Sequence, residues 1–244
     1  MQCLNGENMV NEAELKIKEI IQRTHNIKSF RLETAQKIDF KAGQYMIVTV
    51  KADGKDLNRY LSISNSPTEE GYVEFTKKLT ESDFSRILSQ LKVGDVVKIK
   101  YAFGRFTFDG EYDKIAFLSG GIGITPIRSI TKNVVDRKLG ADMVLIYGNQ
   151  CVDDIAFKDD FDLMQKEYSK FRVVHVLNDD TNCDLIVKVG FITKEIIMED
   201  IPDYADRRFY ICGPPAMVDA MKKILLEGLG LPKELVIEES FKGY

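Results

Sequence analysis

The chain of 244 residues is poor in the side chains that hold metals, and it has no tryptophan. It contains only two histidines and four cysteines, and no two cysteines have a C-x-x-C or ferredoxin-type spacing. These residues are His25, His175, Cys3, Cys151, Cys183 and Cys212. The shortage argues against a zinc site, against an iron–sulfur cluster held by this chain alone, and against a disulfide framework. We therefore expect no bound metal, and any redox chemistry requires an organic cofactor.

An excess of basic residues is also lacking, because 34 basic side chains face 38 acidic ones and the net charge is −4. A nucleic-acid-binding chain usually carries a basic excess or stripe, so we expect no nucleic-acid partner. No apolar run reaches the length of a membrane span, and the N-terminal segment MQCLNGENMVNEAE lacks the apolar core of a signal peptide. The sequence thus predicts a cytoplasmic protein without a membrane span.

The pattern of apolar residues changes near residue 110. Up to that point they tend to alternate in short segments, separated by turn-forming pairs such as Ala42-Gly43 and Gly94-Asp95. This pattern predicts a small antiparallel barrel or sandwich, with one helix from about residue 82 to 91. The predicted strands lie near residues 15–20, 27–32, 45–50, 57–64, 72–79 and 96–101. We assign residues 13–110 to this domain and regard residues 1–12 as a leader that need not be ordered.

Beyond residue 112, short apolar strands alternate with helical segments. Alternation of this kind predicts βαβ units with right-handed crossovers and a parallel sheet. The expected fold class is therefore α+β with two domains, an antiparallel β-barrel followed by a Rossmann-like α/β domain over residues 111–244. Its predicted strands are 115–118, 143–147, 172–177, 209–212 and 235–238, and its predicted helices are 126–138, 157–168, a short one from about 193, and 215–226.

A glycine-rich segment, Ser119 to Pro126, leaves a predicted strand and opens a helix. Glycines let the backbone turn tightly and approach a ligand closely. We expect Thr125 to cap the helix and Pro126 to occupy its first position. The free N–H groups at such a helix start suit a pyrophosphate. Taken alone, the segment is equally consistent with a tight turn that binds nothing.

Two further segments contain side chains suited to chemistry. Arg59 to Ser64 (RYLSIS) forms a predicted barrel strand in which an arginine suits a phosphate and the Ser62 hydroxyl suits a ring nitrogen. Tyr210 to Met217 (YICGPPAM) places Cys212 at the carboxyl end of a predicted parallel strand, where ligands bind in such sheets. Taken separately, these segments are better explained as an ordinary barrel strand and a buried structural cysteine.

The three segments occur together, in the chain order Arg59–Ser64, Ser119–Pro126 and Tyr210–Met217, and with them the sequence resembles the ferredoxin–NADP⁺ reductase family of flavoprotein reductases. The resemblance extends from about residue 13 to residue 241. The family's Arg-x-Tyr-Ser, Gly-Gly-x-Gly-x-Thr-Pro and Cys-Gly-Pro motifs are similar to the three segments above. Further similar stretches are Ala42-Gly43-Gln44-Tyr45, Ser82-Asp83-Phe84-Ser85, Leu91 to Asp95, Tyr101 to Phe106 and Glu239-Ser240-Phe241.

In the barrel, the resemblance implies an FAD site, with FMN the less favoured flavin. Arg59 would hold a flavin phosphate, and Ser62 would lie beside N5 of the ring. Phe84 and Ser85 would contact the FAD pyrophosphate. The tyrosine that stacks on the flavin in the family is replaced by Leu61, with Tyr60 next to it on the other strand face. We therefore expect weaker stacking on the flavin.

In the second domain, the resemblance implies a site for NADH or NADPH. Gly121, Gly123 and Thr125, with Pro126 after them, would hold the pyrophosphate. Cys212, followed by Gly213 and Pro214, would lie next to the nicotinamide. Near the C-terminus, Glu239 would orient Ser62 or relay a proton, and Phe241 would cover the flavin. The implied catalytic residues are Ser62, Cys212 and Glu239.

The choice between NADH and NADPH depends on the segment after the third strand of the second domain. NADPH-using family members carry a Ser-Arg pair there, whereas this chain reads Asn178-Asp179-Asp180. Carboxylates repel a 2′-phosphate, and Asp179 is suited to ribose hydroxyls. Arg172 and Lys188 are nearby cations that would favour NADPH instead. The sequence therefore favours NADH.

The sequence as a whole predicts an FAD-dependent NADH oxidoreductase. Hydride would pass from the nicotinamide to the flavin, and electrons would then pass to a separate protein, such as a ferredoxin, an oxygenase component or a larger redox complex. Two alternatives remain open at this point. One is a flavin reductase for which free flavin is a substrate, and the other is an electron-transfer subunit with little activity alone.

Overall fold

The computed structural model describes residues 11–52, 54–179 and 185–241. Asn11 and Glu12, which we expected in the leader, already belong to the first strand and pair with the last barrel strand. They extend the strand because their backbone groups meet those of Tyr101 and Lys100. Residues 1–10, and with them most of the predicted leader and Cys3, lie outside the described residues.

The first six strands form one antiparallel sheet that curls into a barrel. They are β1 (Asn11–Gln22), β2 (Ile27–Glu33), β3 (Tyr45–Ala52), β4 (Lys55–Ser62), β5 (Tyr72–Lys78) and β6 (Val96–Phe103), and their order is β4-β3-β6-β1-β2-β5. An isolated bridge between Ile63 and Phe75 brings the two edges together. Alternate side chains point inward, and the Phe30 and Phe75 rings stack in the interior with centroids 5.1 Å apart.

The helix α1 (Asp83–Gln90) packs against this barrel. Ser82 caps it, because the Ser82 hydroxyl accepts a hydrogen bond from the Ser85 N–H. The apolar face of the helix points into the barrel and buries Phe84 and Leu88 completely.

The second sheet is parallel throughout and has the order β10-β9-β8-β7-β11-β12. Its strands are β7 (Lys114–Gly120), β8 (Asp142–Asn149), β9 (Phe171–Leu177), β10 (Val187–Val189), β11 (Arg208–Gly213) and β12 (Val236–Ser240). Its helices are α2 (Ile124–Arg137), α3 (Lys158–Glu167), α4 (Lys194–Asp200) and α5 (Pro215–Lys223). The central strands are buried on both faces, as the long apolar runs predicted.

The predicted fold class is confirmed: an antiparallel barrel precedes a parallel sheet covered by helices. The first sheet ends at Phe103 and the second begins at Lys114, so the predicted division near residue 110 lies in the connection between them. Among the described strands, β10 is the one that the sequence did not predict.

Candidate active site

A pocket of about 290 Å³ lies where the barrel meets the end of the second sheet. Two neighbouring barrel strands form one wall, with Tyr45 on β3 and Arg59, Tyr60 and Ser62 on β4. β12 and the residue after it form another wall with Glu239, Ser240 and Phe241. We call this cavity the first pocket. Because both sheets line it, a ligand held there contacts both halves of the molecule.

Two polar atoms in the first pocket are buried without a partner. The Ser62 hydroxyl oxygen and Oε2 of Glu239 accept or donate no hydrogen bond within the described part of the chain. Burying such atoms costs free energy unless a ligand or water satisfies them. A flat heterocycle that carries both donors and acceptors, such as the ring system of a flavin, fits this wall. The structure thus brings the two predicted residues Ser62 and Glu239 into one cavity.

Arg59 lies at the edge of the first pocket with its guanidinium available to an anion. Its Nη1 donates to the carbonyl oxygen of Asn58 at 2.8 Å, and its Cζ lies 5.5 Å from the centroid of the Phe84 ring. Among the described residues, no carboxylate lies within ion-pair distance of Arg59. The remaining guanidinium donors suit a phosphate group.

Two tyrosines, Tyr45 and Tyr60, line the first pocket beside Leu61. Leu61 is buried in the barrel core, whereas Tyr60 is 66% exposed. Tyr45 pairs directly with Ser62 across the strands, and the Tyr45 and Tyr60 rings meet edge to face at 5.7 Å. The sequence did not single out Tyr45, although a tyrosine opposite Ser62 follows from the strand register.

Phe84 and Ser85, which we expected to contact a pyrophosphate, are both buried. The Phe84 ring faces inward because it lies on the apolar face of α1, and it lies beneath Arg59. The Ser85 hydroxyl is engaged with Thr80 and Ser82. Neither side chain lines the first pocket.

A second pocket, of about 500 Å³, lies at the carboxyl ends of the parallel strands. The predicted residues Gly121 and Pro214 line it, together with Gly148 and Asn149 at the end of β8. Open parallel sheets bind nucleotides at this edge. The buried amide group of Asn149 has no hydrogen-bond partner among the described residues, which again indicates a polar ligand.

Several residues of the second pocket were missed by the sequence reasoning. Phe191 is 76% exposed and, with Met217, gives the pocket an apolar rim suited to a flat base. Lys78 and Ile27 reach it from the barrel. The sequence shows Phe191 as an aromatic residue shortly before α4. Its spacing from neighbouring apolar residues does not distinguish it from an ordinary loop residue, so it could not be predicted to line a pocket.

The glycine-rich turn between the two pockets differs in detail from the prediction. A short 3₁₀ turn covers Gly121–Gly123, and α2 begins at Ile124 with Gly123 as its N-cap. Thr125 is therefore inside the helix, where its hydroxyl donates to the carbonyl oxygen of Ile122 at 3.2 Å. It does not cap the helix, and it lines the first pocket rather than the second. Pro126 is buried and lines neither pocket.

Gly123 permits a close contact between α2 and β11. A Cβ atom at this position would lie 2.2 Å from the carbonyl oxygen of Cys212, far inside any normal contact. The left-handed backbone of Gly121, with φ of +51°, instead leaves open space on the pocket side. The Tyr147 hydroxyl donates to the Gly121 carbonyl at 3.1 Å and holds this turn from beneath.

Cys212 and Glu239 face each other in register on the adjacent strands β11 and β12. Cys212 is fully buried, and burial, with a contribution from Glu239, raises the pKa of its thiol well above the usual value. The thiol therefore stays protonated at neutral pH and offers a weak donor rather than a nucleophile. Gly213 follows it, and its carbonyl accepts from the Phe241 N–H at 3.4 Å, which ties the end of β12 to this site.

Three groups in the first pocket have shifted pKa values. Burial raises the pKa of Glu239 to about 7, and burial together with Glu239 raises the pKa of Tyr45. Burial lowers the pKa of Lys77 to about 8, with a contribution from Arg59 and Lys78. The pocket therefore contains a carboxyl group that exchanges its proton near neutral pH.

The raised pKa of Glu239 makes stability depend on pH. A glutamate in an unfolded chain titrates near about 4.3, so between there and about 7 the folded state binds more protons. The free energy of unfolding then falls as pH rises through this range. We expect the wild type to lose up to about 3 kcal/mol relative to Glu239→Gln across it.

Urea denaturation of both purified proteins at several pH values measures this difference. Glu238→Gln is the matched control, because the Glu238 carboxylate lies on the same strand and pairs with Lys222 on the surface. Parallel pH profiles for the wild type and Glu239→Gln would contradict the assignment.

Lys188 and Arg172, the two cations that would favour NADPH, lie close to acidic side chains. Lys188 pairs with Glu199 at 2.6 Å and lies 3.7 Å from Asp200, and Arg172 lies 3.8 Å from Asp200. Asp179 follows Asn178, which lines the second pocket, and the backbone N–H of Asp179 donates to the carbonyl of Gln150 at 2.8 Å. Asp180 lies outside the described residues.

The barrel, the parallel sheet and the two pockets between them define a two-domain oxidoreductase that binds a flavin and a nicotinamide nucleotide. Residues 12–108 match the model of the oxidoreductase FAD-binding domain, and residues 117–223 match that of the oxidoreductase NAD-binding domain. The chain belongs to the ferredoxin–NADP⁺ reductase-like family of FAD-dependent NADH oxidoreductases. FAD is its cofactor and NADH its co-substrate.

Similar proteins of known type include NADH-cytochrome b5 reductase 1 of Aspergillus fumigatus, 32% identical over 234 residues that cover 90% of this chain and 75% of that protein. The plasma membrane-associated coenzyme Q6 reductase of Saccharomyces cerevisiae is 32% identical over 212 residues, 84% of this chain and 67% of that protein. The fold is similar to the cytochrome b5 reductase domain of Ulva prolifera nitrate reductase, with a TM-score of 0.84 at 22% identity, covering 94% of this chain and 97% of that one.

None of the helices in the described ranges is both long enough and apolar enough to span a membrane. Over the same ranges, no three histidine, cysteine or acidic side chains cluster in a way that suits a metal ion.

Proposed function

We propose that the chain takes a hydride from NADH in the second pocket and passes the electrons, through FAD in the first pocket, to a separate haem protein similar to cytochrome b5. The observation that carries this proposal is the pair of unsatisfied polar groups, Ser62 and Glu239, in a cavity that both domains line. FAD, when bound, supplies a ring that accepts a hydride and releases its electrons singly.

The chain's own residues would hold and orient the two partners of the reaction. Arg59 binds a phosphate of FAD, the Ser62 hydroxyl hydrogen-bonds the ring, and Tyr45 and Tyr60 pack against it. The turn at Gly121 holds the pyrophosphate of NADH, and Cys212 lies next to the nicotinamide. Glu239 holds a proton on its carboxyl group near neutral pH, so it can return one to this site. Most of the rate enhancement then comes from positioning.

The relatives narrow the choice of the protein or molecule that accepts the electrons. The sequence suggested a ferredoxin, an oxygenase component or a redox complex. The curated relatives described above are named as reductases of cytochrome b5 and of coenzyme Q6. We therefore expect a cytochrome b5-like protein or a quinone to be reduced faster than a ferredoxin.

Absorption spectroscopy tests the proposal. The purified protein is expected to show flavin bands that bleach when NADH is added without oxygen, and the reduced protein to reduce added cytochrome b5. A colourless protein that reduces added riboflavin or FMN would instead support a reductase of free flavin. Bound flavin that NADH leaves oxidised would support an electron-transfer subunit with little activity alone.

We also propose that NADH is preferred over NADPH. Asp179 directly follows Asn178, which lines the second pocket, and Lys188 and Arg172 already pair with acidic side chains. A 2′-phosphate beside Asp179 would meet a carboxylate, while the side chains of Lys188 and Arg172 are already engaged, and this repulsion costs on the order of 2 kcal/mol or more. We expect kcat/KM for NADH to exceed that for NADPH by at least about thirtyfold. Steady-state assays with both nucleotides measure the ratio, and a clear NADPH preference would overturn the argument.

A further inference from the structure

A buried arginine crosses the boundary between the two domains. Arg128 lies on α2 of the second domain and is only 5% exposed. Its side chain does not line either pocket. An arginine is rarely buried to this extent unless its guanidinium is paired on several sides. The groups that pair with the Arg128 guanidinium therefore show which parts of the molecule Arg128 connects.

The partners of Arg128 come from both domains. From the barrel side, Glu69 accepts from both terminal nitrogens, one of these bonds measuring 3.0 Å, and the carbonyl oxygen of Ser64 accepts at 3.3 Å. From its own domain, Asp160 accepts from Nε at 2.9 Å. Burial alone would raise the pKa of Glu69, but Arg128 outweighs it and holds that pKa below its usual value. The pair is therefore fully charged at neutral pH.

A second arginine makes the reciprocal contact. Arg23, in the turn between β1 and β2, reaches Asp160 of the second domain at 3.8 Å and Glu74 of the barrel at 3.3 Å. The Phe157 ring lies beneath both guanidinium groups, with Cζ distances of 4.5 Å to Arg23 and 5.8 Å to Arg128. We call Arg23, Glu69, Arg128, Phe157 and Asp160 the interdomain clamp.

The interdomain clamp is joined to the first pocket through very short segments of both domains. Arg128 lies one turn after Thr125 on α2, and Thr125 lines the first pocket. Ser64, whose carbonyl Arg128 contacts, lies two residues after Ser62. The next residue on α2 adds another link, because the Ser129 hydroxyl donates to the Asn65 carbonyl at 2.7 Å. A shift at the clamp therefore moves Ser62 relative to the glycine-rich turn.

We infer that Arg128 is a positioning residue that sets the distance and angle between the flavin pocket and the nucleotide pocket. This inference rests on the proposed hydride transfer between them. Transfer rates depend steeply on geometry, and a misplacement of about 1 Å costs about a hundredfold in rate. The clamp holds the two domains in the arrangement in which the nicotinamide reaches the flavin, without touching either ligand.

Rapid-mixing measurements on the FAD-loaded protein test this role. In Arg128→Met the limiting rate of flavin reduction at saturating NADH is expected to fall about tenfold to a hundredfold, while FAD content and the dissociation constant for NADH stay within about threefold. Glu69→Gln retains the size of the side chain and removes its charge, so it serves if Arg128→Met folds poorly. A fall of at least about threefold in the limiting rate is expected for it.

Arg207→Met is the matched control for the loss of a buried ion pair. Arg207 is also 5% exposed and pairs with Asp203 at 2.7 Å and Asp142 at 2.6 Å, all within the second domain. We expect it to lower the melting temperature as Arg128→Met does but to leave the limiting rate within about twofold of the wild type.

The outcomes separate this inference from the proposed function. If NADH fails to reduce the wild-type flavin, the proposed function is wrong. If the wild type is reduced but Arg128→Met and Glu69→Gln retain its limiting rate, the inference is overturned. A rate loss of equal size in Arg207→Met would also overturn it, because general destabilisation would then explain the effect.

Discussion

Replacing Arg59 with alanine is expected to raise the dissociation constant for FAD by about a hundredfold. The reason is that its guanidinium makes one hydrogen bond, to the Asn58 carbonyl, and no ion pair with a carboxylate within the described ranges. Two charge-assisted hydrogen bonds to a phosphate are together worth about 3 kcal/mol, and each 1.4 kcal/mol is a factor of ten in affinity. Fluorescence titration of the flavin-free protein with FAD measures the change, and the flavin content after purification provides an independent reading.

Arg137→Ala is the control for the loss of one positive charge. Arg137 lies at the far end of α2, is exposed, and pairs with Asp109. It lines neither pocket, so its replacement should leave FAD affinity within about twofold of the wild type. Undiminished FAD content in Arg59→Ala would contradict the assignment of the phosphate to Arg59.

Replacing Gly123 with alanine is expected to slow flavin reduction by about a hundredfold. The backbone at Gly123 is already helical, with φ of −59°, so alanine fits the conformation. The added methyl group would lie 2.2 Å from the Cys212 carbonyl oxygen, which is fixed in a central strand. α2 must then move away from β11 by roughly 1 Å, a displacement that costs about a hundredfold in the rate of an oriented reaction.

The limiting rate of flavin reduction at saturating NADH measures this effect. Gly228→Ala is the control in the same domain, because a methyl group there would make only ordinary contacts, the nearest at 3.8 Å. We expect this control to keep the wild-type rate. A wild-type rate in Gly123→Ala would show that α2 and β11 are not held at this separation in solution.

The sequence predicted most strands because burial imposes strict patterns on them. β7 and β8 are buried on both faces and therefore read as continuous apolar runs, whereas β2 and β4 alternate. β10 was missed because it has three residues, with Lys188 at its centre, and no periodicity can be read from so short a segment. Its backbone pairing with β9, not its side chains, makes it a strand.

The start of α2 shows why the ends of elements are harder to predict. Thr125 and Pro126 have the residue types of a cap and a first helical position, yet the helix begins one residue before Thr125. The N–H groups of the first helical turn have no partner within the helix, so proline is tolerated at any position of that turn. Pro126 therefore indicates that a helix starts nearby, but it does not identify the first residue of the helix. The 3₁₀ turn at Gly121 is set by close packing on β11, which a sequence pattern does not reveal.

The residues of the first pocket could be predicted only in part. Ser62, Arg59 and Glu239 carry a recognisable pattern, whereas Tyr45 required the strand register. The contact between Arg128 and Glu69 joins residues 59 positions apart and exists only because the two domains dock. In the sequence, Arg128 and Glu69 each resemble an ordinary charged surface residue. The residues around them therefore do not predict that the two side chains form an ion pair.

The position of β12 has a consequence for synthesis on the ribosome. The barrel strands are made first and can pair among themselves, because all six precede Lys114 in the chain. Glu239 and Phe241, however, come from the last described strand and the residue after it, and the first pocket needs both. A nascent chain whose barrel is complete therefore still lacks part of its flavin-binding surface. The complete first pocket therefore forms only after the end of the second domain has been made and β12 has joined its sheet.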